Sequence, residues 1–223
     1  MTRSSAAEAV GTGLLLYLVV GSGIAAEALG DDRATQLLAH ALAVGLGLGV
    51  LIAVFQTVSG SHFNPSVTLA FWRSGEMGSS TAARYGIAQI VGALVGVVVA
   101  HLSFDLAAVS ISVTVRGGPG LILAEAIATF VLVFVILALV RTGRPEFVPM
   151  AVGGWVAAIV FATSSTGFAN PAVTISRVFT DSYTGIAPES IVGFLTGQIF
   201  AGLIAAPAAV FFFPDPVPAT PTR

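Results

Sequence analysis

Two short stretches decide the fold of this chain: Asn64-Pro65-Ser66-Val67-Thr68 and Asn170-Pro171-Ala172-Val173-Thr174. Asn is a preferred helix N-cap and Pro is preferred at the first helical position, so each stretch predicts the start of a helix. The helix that follows each start has room for about ten residues, or roughly 15 Å, which is half the hydrocarbon core of a bilayer. Each stretch therefore predicts a half-helix that enters a membrane without crossing it.

The composition around these stretches is that of a membrane protein. Hydrophobic residues make up 56% of the 223 residues and charged residues only 9%, with a mean hydropathy of +0.95. Soluble domains carry about 25% charged residues, so a soluble globule and a disordered chain are both excluded. Six apolar stretches are long enough to predict membrane spans, and they leave no room for a second domain. They are Ala9–Ala26, Leu37–Thr57, Ile87–Phe104, Leu121–Val140, Phe147–Thr163 and Ile191–Phe213.

Charge and residue usage exclude several classes of function. The net charge is −2 and no basic cluster is present, so a nucleic-acid partner is not expected. The chain has no Cys and only three scattered His, which argues against disulfides, a metal centre and a thiol nucleophile. No nucleophile–base pair is visible, so we expect neither an enzyme nor a cofactor.

The two halves of the chain carry the same marks in the same order. Glu8-Ala9-Val10-Gly11-Thr12 is repeated as Glu125-Ala126-Ile127-Ala128-Thr129, each ahead of an Asn-Pro stretch, and a Gln in a Gly-rich span follows each stretch at Gln89 and Gln198. We place the first repeat at about residues 1–115, the second at about 116–213, and a disordered Pro-rich tail at 214–223. Each repeat has an odd number of spans, so the two must be inverted relative to each other.

Inversion would bring the two half-helices in from opposite faces, with their N-termini meeting near the midplane. Non-helical backbone is tolerated at that depth only where it is buried or lines a water-filled path. Two positive helix ends would repel cations, protons included, while the amides of Asn64 and Asn170 could donate to a passing neutral solute. The alternative, that Asn-Pro opens two surface turns, is disfavoured by the apolar flanks and the repetition.

The distribution of Arg residues predicts the orientation of the chain. With both termini in the cytoplasm, six of the nine Arg fall on the cytoplasmic side and three on the other, which satisfies the positive-inside rule. The six are Arg3, Arg73, Arg84, Arg141, Arg144 and Arg223, and the three are Arg33, Arg116 and Arg177. We therefore expect a multi-pass protein of the inner or plasma membrane with cytoplasmic termini.

In its six spans, its two Asn-Pro stretches and the Glu-x-x-x-Thr motif of each repeat, the chain resembles the aquaporin, or major intrinsic protein, family over nearly its whole length. The resemblance implies an all-α bundle of six transmembrane helices and two re-entrant half-helices, with one pore per subunit in a homotetramer. It implies that Glu8 and Glu125 brace the pore loops through hydrogen bonds to backbone, and that His62 borders the cytoplasmic entrance of the pore. The pore motifs it assigns are Asn64, Pro65, Ser66, Asn170, Pro171 and Ala172. Ser66 stands where Ala is commonest in the family, a variant also found in plant metalloid channels.

The resemblance also assigns a selectivity filter, and here the chain departs from the family. Most members have Arg directly after the second Asn-Pro-Ala, whereas this chain has Val173. Counting from the Asn residues places the other filter positions at Val44 and Ala158, with Ile159 or Val160 as alternatives to the latter. The pore loop adds Gly167 or Phe168. Such a small, apolar set implies a wide filter, as in the bacterial branch linked to arsenite.

Arg177 lies one helical turn beyond Val173, and its orientation is open. It could share the face of Val173, or it could pair with Asp181, four residues further on. His40 and His101 are expected at the membrane interface or in helix packing.

The leading hypothesis is a passive channel for water, glycerol and uncharged metalloid hydroxides such as arsenite. The alternatives are a mainly water-selective channel, an ion- or proton-conducting pore and a secondary transporter.

Overall fold

The structure is a computed structural model in which residues 2–214 are described. Within that range the chain forms eight α-helices and no β-strand. The helices are α1 (Arg3–Leu29), α2 (Arg33–Ser59), α3 (Pro65–Arg73), α4 (Ser79–Ser103), α5 (Pro119–Arg141), α6 (Val148–Ala162), α7 (Pro171–Ser176) and α8 (Ile191–Phe212). Single 3₁₀ turns cover Pro145–Phe147, Arg177–Phe179 and Pro188–Ser190. The predicted tail at 214–223 lies outside the described residues, apart from Pro214.

Six helical segments are long and apolar enough to cross a membrane, which confirms the predicted spans. They are α1, α2, α4 and α5, and α6 and α8 each taken with the 3₁₀ turn before it. The helix ends differ from the prediction: α1 runs from Arg3 to Leu29, although its apolar part was predicted at Ala9–Ala26. Hydropathy marks only the part of a helix that lies in hydrocarbon. The polar ends continue the same hydrogen-bonded turns until a cap is reached, which for α1 is Thr2.

The two predicted half-helices are α3 and α7, and each begins as its sequence dictates. The Asn64 side chain accepts from Ser66 N at 2.8 Å and the Asn170 side chain from Ala172 N at 2.9 Å, with Pro65 and Pro171 as the first helical residues. α3 has nine residues, close to the length expected. α7 has only six residues and continues as the 3₁₀ turn Arg177–Phe179.

The helices pair in the same way in both halves of the chain. α1 packs against α2 and α4, while α5 packs against α6 and α8. Each half-helix contacts the last long helix of both repeats, so α3 touches α4 and α8, and α7 does the same. Glycines allow the closest crossings: a Cβ at Gly92 of α4 would collide with the carbonyl oxygen of Ala9 in α1. This interlocking holds α3 and α7 end to end in the middle of the bundle.

Candidate functional site

The N-termini of the two half-helices are joined by reciprocal hydrogen bonds. The side-chain nitrogen of Asn64 donates to the carbonyl of Ala169 at 2.8 Å, and that of Asn170 donates to the carbonyl of Phe63 at 2.8 Å. Each Asn therefore caps its own half-helix with its oxygen and holds the opposite loop with its nitrogen. Both Asn side chains are buried in the protein, yet both line an internal cavity.

The loops before the two Asn residues share an unusual backbone. Phe63 and Ala169, directly ahead of Asn64 and Asn170, have φ angles of 47° and 50°. A left-handed conformation at a non-glycine residue costs about 1–3 kcal/mol and persists only where the surroundings enforce it. Both loops thus adopt the same strained conformation. It brings the carbonyl of Phe63 to Asn170 and the carbonyl of Ala169 to Asn64.

Glu8 enforces the conformation of the first loop. Its carboxylate is fully buried and accepts from the backbone N–H groups of His62 at 3.0 Å and Phe63 at 2.7 Å. The Ser59 hydroxyl and the Gln89 amide donate to the same carboxylate, at 2.6 and 2.8 Å. A buried carboxylate is stable only with several such donors, and here two of the four are the strained backbone itself.

Glu125 does the same for the second loop. It is fully buried and accepts from the N–H groups of Phe168 at 2.9 Å and Ala169 at 2.8 Å, and from the amide of Gln198 at 2.6 Å. The carboxylates at equivalent places in the two repeats thus bind backbone groups at equivalent places in the two loops.

Two other motif residues have local roles. The hydroxyl of Ser66 donates to the carbonyl of Gln198 in α8 at 3.1 Å, so this variant hydroxyl lies between helices. His62 lines the cavity, places its Nδ1 3.0 Å from the Thr68 hydroxyl and stacks at 4.6 Å from the ring of Phe71. The ring of His62 is therefore fixed in one position at the α3 side of the junction.

The cavity beside the Asn64–Asn170 junction, here called the pore cavity, is narrow: it leaves about 70 Å³ for the centres of water molecules, and its walls are mostly apolar. α2 contributes one face at four-residue spacing, and α6 contributes a second face of the same kind. These faces consist of His40, Val44, Leu48 and Ile52 on α2, and Val148, Val152, Val156 and Val160 on α6. Polar groups reach the lumen mainly at the junction and at the end near Arg177.

A second cavity, here called the vestibule, opens at the α7 end of the pore cavity. It is lined by Glu27, Asp31, Arg33, Gln36, Leu37, His40, Arg116, Thr166, Arg177 and Tyr183. Burial raises the pKa of the Tyr183 phenol, which therefore stays neutral at physiological pH. Arg116 is held by the carbonyls of Gly185 and Tyr183, at 2.8 and 3.2 Å.

A family model described as Major intrinsic protein matches residues 1–206 of this sequence. The chain belongs to the major intrinsic protein family. The aquaglyceroporin AqpS of Rhizobium meliloti (strain 1021) is 45% identical over 92% of this chain and 88% of that protein. The glycerol uptake facilitator protein-like 6 of Lactiplantibacillus plantarum is 35% identical over 78% of this chain and 82% of that protein.

A solved structure shares the fold. The X-ray structure of the aquaglyceroporin from Plasmodium falciparum superposes with a TM-score of 0.69, at 21% identity and 95% coverage of both chains. The fold of the major intrinsic protein family thus extends over α1 to α8.

Four of the five filter residues expected from the family pattern line the pore cavity: Val44, Gly167, Phe168 and Val173. The prediction of the fifth, Ala158, is wrong, because Ala158 is exposed and does not line the cavity. The cavity face of α6 includes Val156 and Val160, and a residue two positions away points about 200° around the helix. Val160, one of the two alternatives to Ala158, lines the cavity, as does Val156.

Arg177 shares the face of Val173, and the alternative pairing with Asp181 is wrong. The guanidinium carbon of Arg177 lies 3.4 Å from the centre of the Phe168 ring, and its Nε donates to the carbonyl of Thr184. Asp181 is exposed and accepts instead from the Val113 N–H at 3.2 Å. Val173 thus directly follows Asn-Pro-Ala, and the next arginine, Arg177, lies four residues further along the chain.

His40 is a cavity-lining residue that the sequence analysis placed at the interface or in packing. Its Nδ1 lies 2.8 Å from the Ser22 hydroxyl, and its ring packs edge-on against Tyr183 at 5.9 Å. The signal that could have found it is its spacing, since His40 precedes Val44 by one turn of α2. His101, by contrast, is buried between the carbonyl of Ala107 and the hydroxyl of Thr180.

Proposed function

We propose that this chain is a passive channel for water and small neutral solutes, glycerol among them, and that it catalyses no reaction. The reciprocal Asn64–Asn170 junction carries the proposal, because it places two helix N-termini and two side-chain amides on the wall of an apolar cavity. Each amide nitrogen uses one hydrogen on the opposite loop and keeps a second hydrogen for a passing solute.

The junction favours neutral solutes for two reasons. Both α3 and α7 direct the positive ends of their dipoles at it, which disfavours a cation at that point. The valines of α2 and α6 offer no hydrogen bonds, so a solute that loses its water there regains few contacts and is not held. A secondary transporter would need an ionisable group where ion and solute are coupled, and at the Asn64–Asn170 junction the lumen is lined by the two side-chain amides.

We further propose that glycerol and uncharged metalloid hydroxides such as arsenite share this path. Val44, Val160 and Val173 all line the pore cavity, and we assign these three side chains as its apolar ring. Val173 stands where most of the family has arginine. Arsenite is a neutral trihydroxide near pH 7 and displays its hydroxyls much as glycerol does. A mainly water-selective pore and an ion- or proton-conducting pore are the competing outcomes.

The arrangement in the cell is part of the proposal. The Arg distribution supports a multi-pass protein of the inner or plasma membrane with both termini in the cytoplasm, which places the vestibule on the outer side. The family supports one single-domain pore per subunit of a homotetramer. Cross-linking in native membranes tests the tetramer, and protease access from each side tests the orientation.

Stopped-flow volume changes of proteoliposomes test the function. Parallel gradients of sucrose, glycerol and arsenite would be applied to vesicles with the protein and to empty vesicles. The proposal predicts protein-dependent flux of water and glycerol, and arsenite entry for the finer claim. Water flux without solute entry would leave only the water-selective alternative, and a proton leak at the same protein density would favour the conducting pore.

A further inference from the structure

Three residues border both cavities. Among the residues that the structure describes, His40, Thr166 and Arg177 line the pore cavity and also the vestibule. A solute that moves from the vestibule into the pore cavity must therefore pass between them. We call these three residues the collar.

The collar lies one helical turn away from the apolar ring, on the vestibule side. His40 precedes Val44 by four residues on α2, and Arg177 follows Val173 by four residues along α7 and its 3₁₀ turn. Four residues correspond to about 6 Å along a helix axis. Both displacements have the same direction, because α2 begins at the vestibule while α7 begins at the Asn64–Asn170 junction.

Arg177 supplies a charge and hydrogen-bond donors to the collar. It is only 4% exposed, and within residues 2–214 no carboxylate lies at ion-pair distance from it. The ring of Phe168 supports one face of its guanidinium and also lies 5.3 Å from the guanidinium carbon of Arg116. Nε is bound to Thr184, whereas the two terminal nitrogens have no partner in the described chain and are not sealed from the cavity.

His40 supplies an acceptor on the other side. The Ser22 hydroxyl lies 3.3 Å from the carbonyl of Val19 and 2.8 Å from Nδ1 of His40. Nε2 of His40 has no hydrogen-bond partner in the described chain, and His40 lines the lumen. We assign the neutral tautomer with its proton on Nδ1 shared with Ser22, which makes Nε2 the acceptor. A hydroxyl both donates and accepts, so a neutral polyol or a water molecule can bond Arg177 and His40 in turn.

We propose that the selectivity filter of this channel is the collar of His40, Thr166 and Arg177, displaced by one turn from the apolar ring at Val44 and Val173. This proposal rests on the channel function above and names the side chains that select the solute. Arg177 excludes cations and donates to hydroxyl groups, His40 accepts from them, and the apolar ring beyond the collar only limits the size of the solute.

The test uses full-length protein in proteoliposomes and three readouts: water flux, glycerol flux and proton leak followed with an enclosed pH dye. Arg177→Met keeps the stem over Phe168 but removes the charge, and we expect the proton leak to rise on the order of tenfold. His40→Leu removes the acceptor, and we expect the ratio of glycerol to water flux to fall about fivefold, the effect of one hydrogen bond. Arg33→Met is the matched control, because Arg33 is exposed in the vestibule and lies outside the collar.

The outcomes separate this proposal from the function on which it rests. If the unmodified protein passes neither water nor glycerol, the proposed function fails. The collar is not the filter if the unmodified protein conducts and both collar variants behave like the control. That is, Arg177→Met would show the proton leak of Arg33→Met, and His40→Leu would show its ratio of glycerol to water flux. Should Arg177→Met not fold, Arg177→Lys keeps the charge and is expected to retain the low leak. The ratio of glycerol flux to water flux in His40→Leu then decides. A fall in this ratio supports the collar as the filter, and an unchanged ratio overturns the proposal.

Discussion

Replacing Glu125 by Gln tests how the strained second loop is held. The carboxylate accepts three hydrogen bonds, from Phe168 N at 2.9 Å, Ala169 N at 2.8 Å and Gln198 Nε2 at 2.6 Å. A Gln side chain keeps one oxygen and turns the other into a donor, so at least one buried backbone N–H faces a second donor. A lost hydrogen bond to a charged group costs about 1.5–3 kcal/mol and an unsatisfied buried donor about 1–3 kcal/mol, partly overlapping.

We therefore expect the free energy of unfolding to fall by about 2–4 kcal/mol. For a chain of this size the midpoint of thermal unfolding in detergent should drop by about 5–15 °C. Glycerol flux should fall as well, because Phe168 lines the pore cavity and the carbonyl of Ala169 holds the side chain of Asn64. Glu146→Gln, at an exposed carboxylate, serves as the control. A Glu125→Gln protein with the midpoint and flux of that control would refute the role of Glu125 in holding the loop.

Three further predictions concern the filter, the junction and the packing. Val173→Arg should narrow the apolar ring and reduce glycerol flux more than water flux; unchanged glycerol flux would mean that Val173 does not line the constriction. Asn170→Asp places a negative charge between the two helix ends and should raise the cation leak measured by vesicle flux, whereas an unaltered leak would argue that the ends do not meet in the path. Gly96→Ala should lower the unfolding midpoint, because its Cβ would collide with the carbonyl oxygen of Gly13, while Gly86→Ala on the same helix meets nothing within 4 Å. Equal midpoints for these two alanine variants would contradict the close crossing of α1 and α4.

The sequence was sufficient to predict those structural features that depend only on neighbouring residues in the chain. Asn64-Pro65 and Asn170-Pro171 cap their helices because both residues act through their own backbone geometry, so these starts were predictable. The six spans were predictable because a bilayer requires a fixed length of apolar helix. The pairing of Asn64 with the carbonyl of Ala169 followed only in outline, since it depends on the inverted halves meeting.

The sequence was insufficient where a position depends on contacts made across the fold. Phe63 and Ala169 adopt left-handed conformations that their side chains do not favour, because the distant Glu8 and Glu125 hold the N–H groups. The prediction of Ala158 as a filter residue was wrong because it depended on counting back across the α6–α7 connection, whose length cannot be read from residue types. His40 was missed because a single polar residue at a span end is more often found in packing than in a pore.

The central claim is that solutes cross the membrane through the cavity beside the Asn64–Asn170 junction. Val160 and Ala158 test it most directly, because they lie two residues apart on α6 with only Val160 facing the cavity. Val160→Trp should abolish both water and glycerol flux in proteoliposomes, and Ala158→Trp should leave both near the level of the unmodified protein. Equal flux through the two variants would contradict the account, because the path would then lie elsewhere.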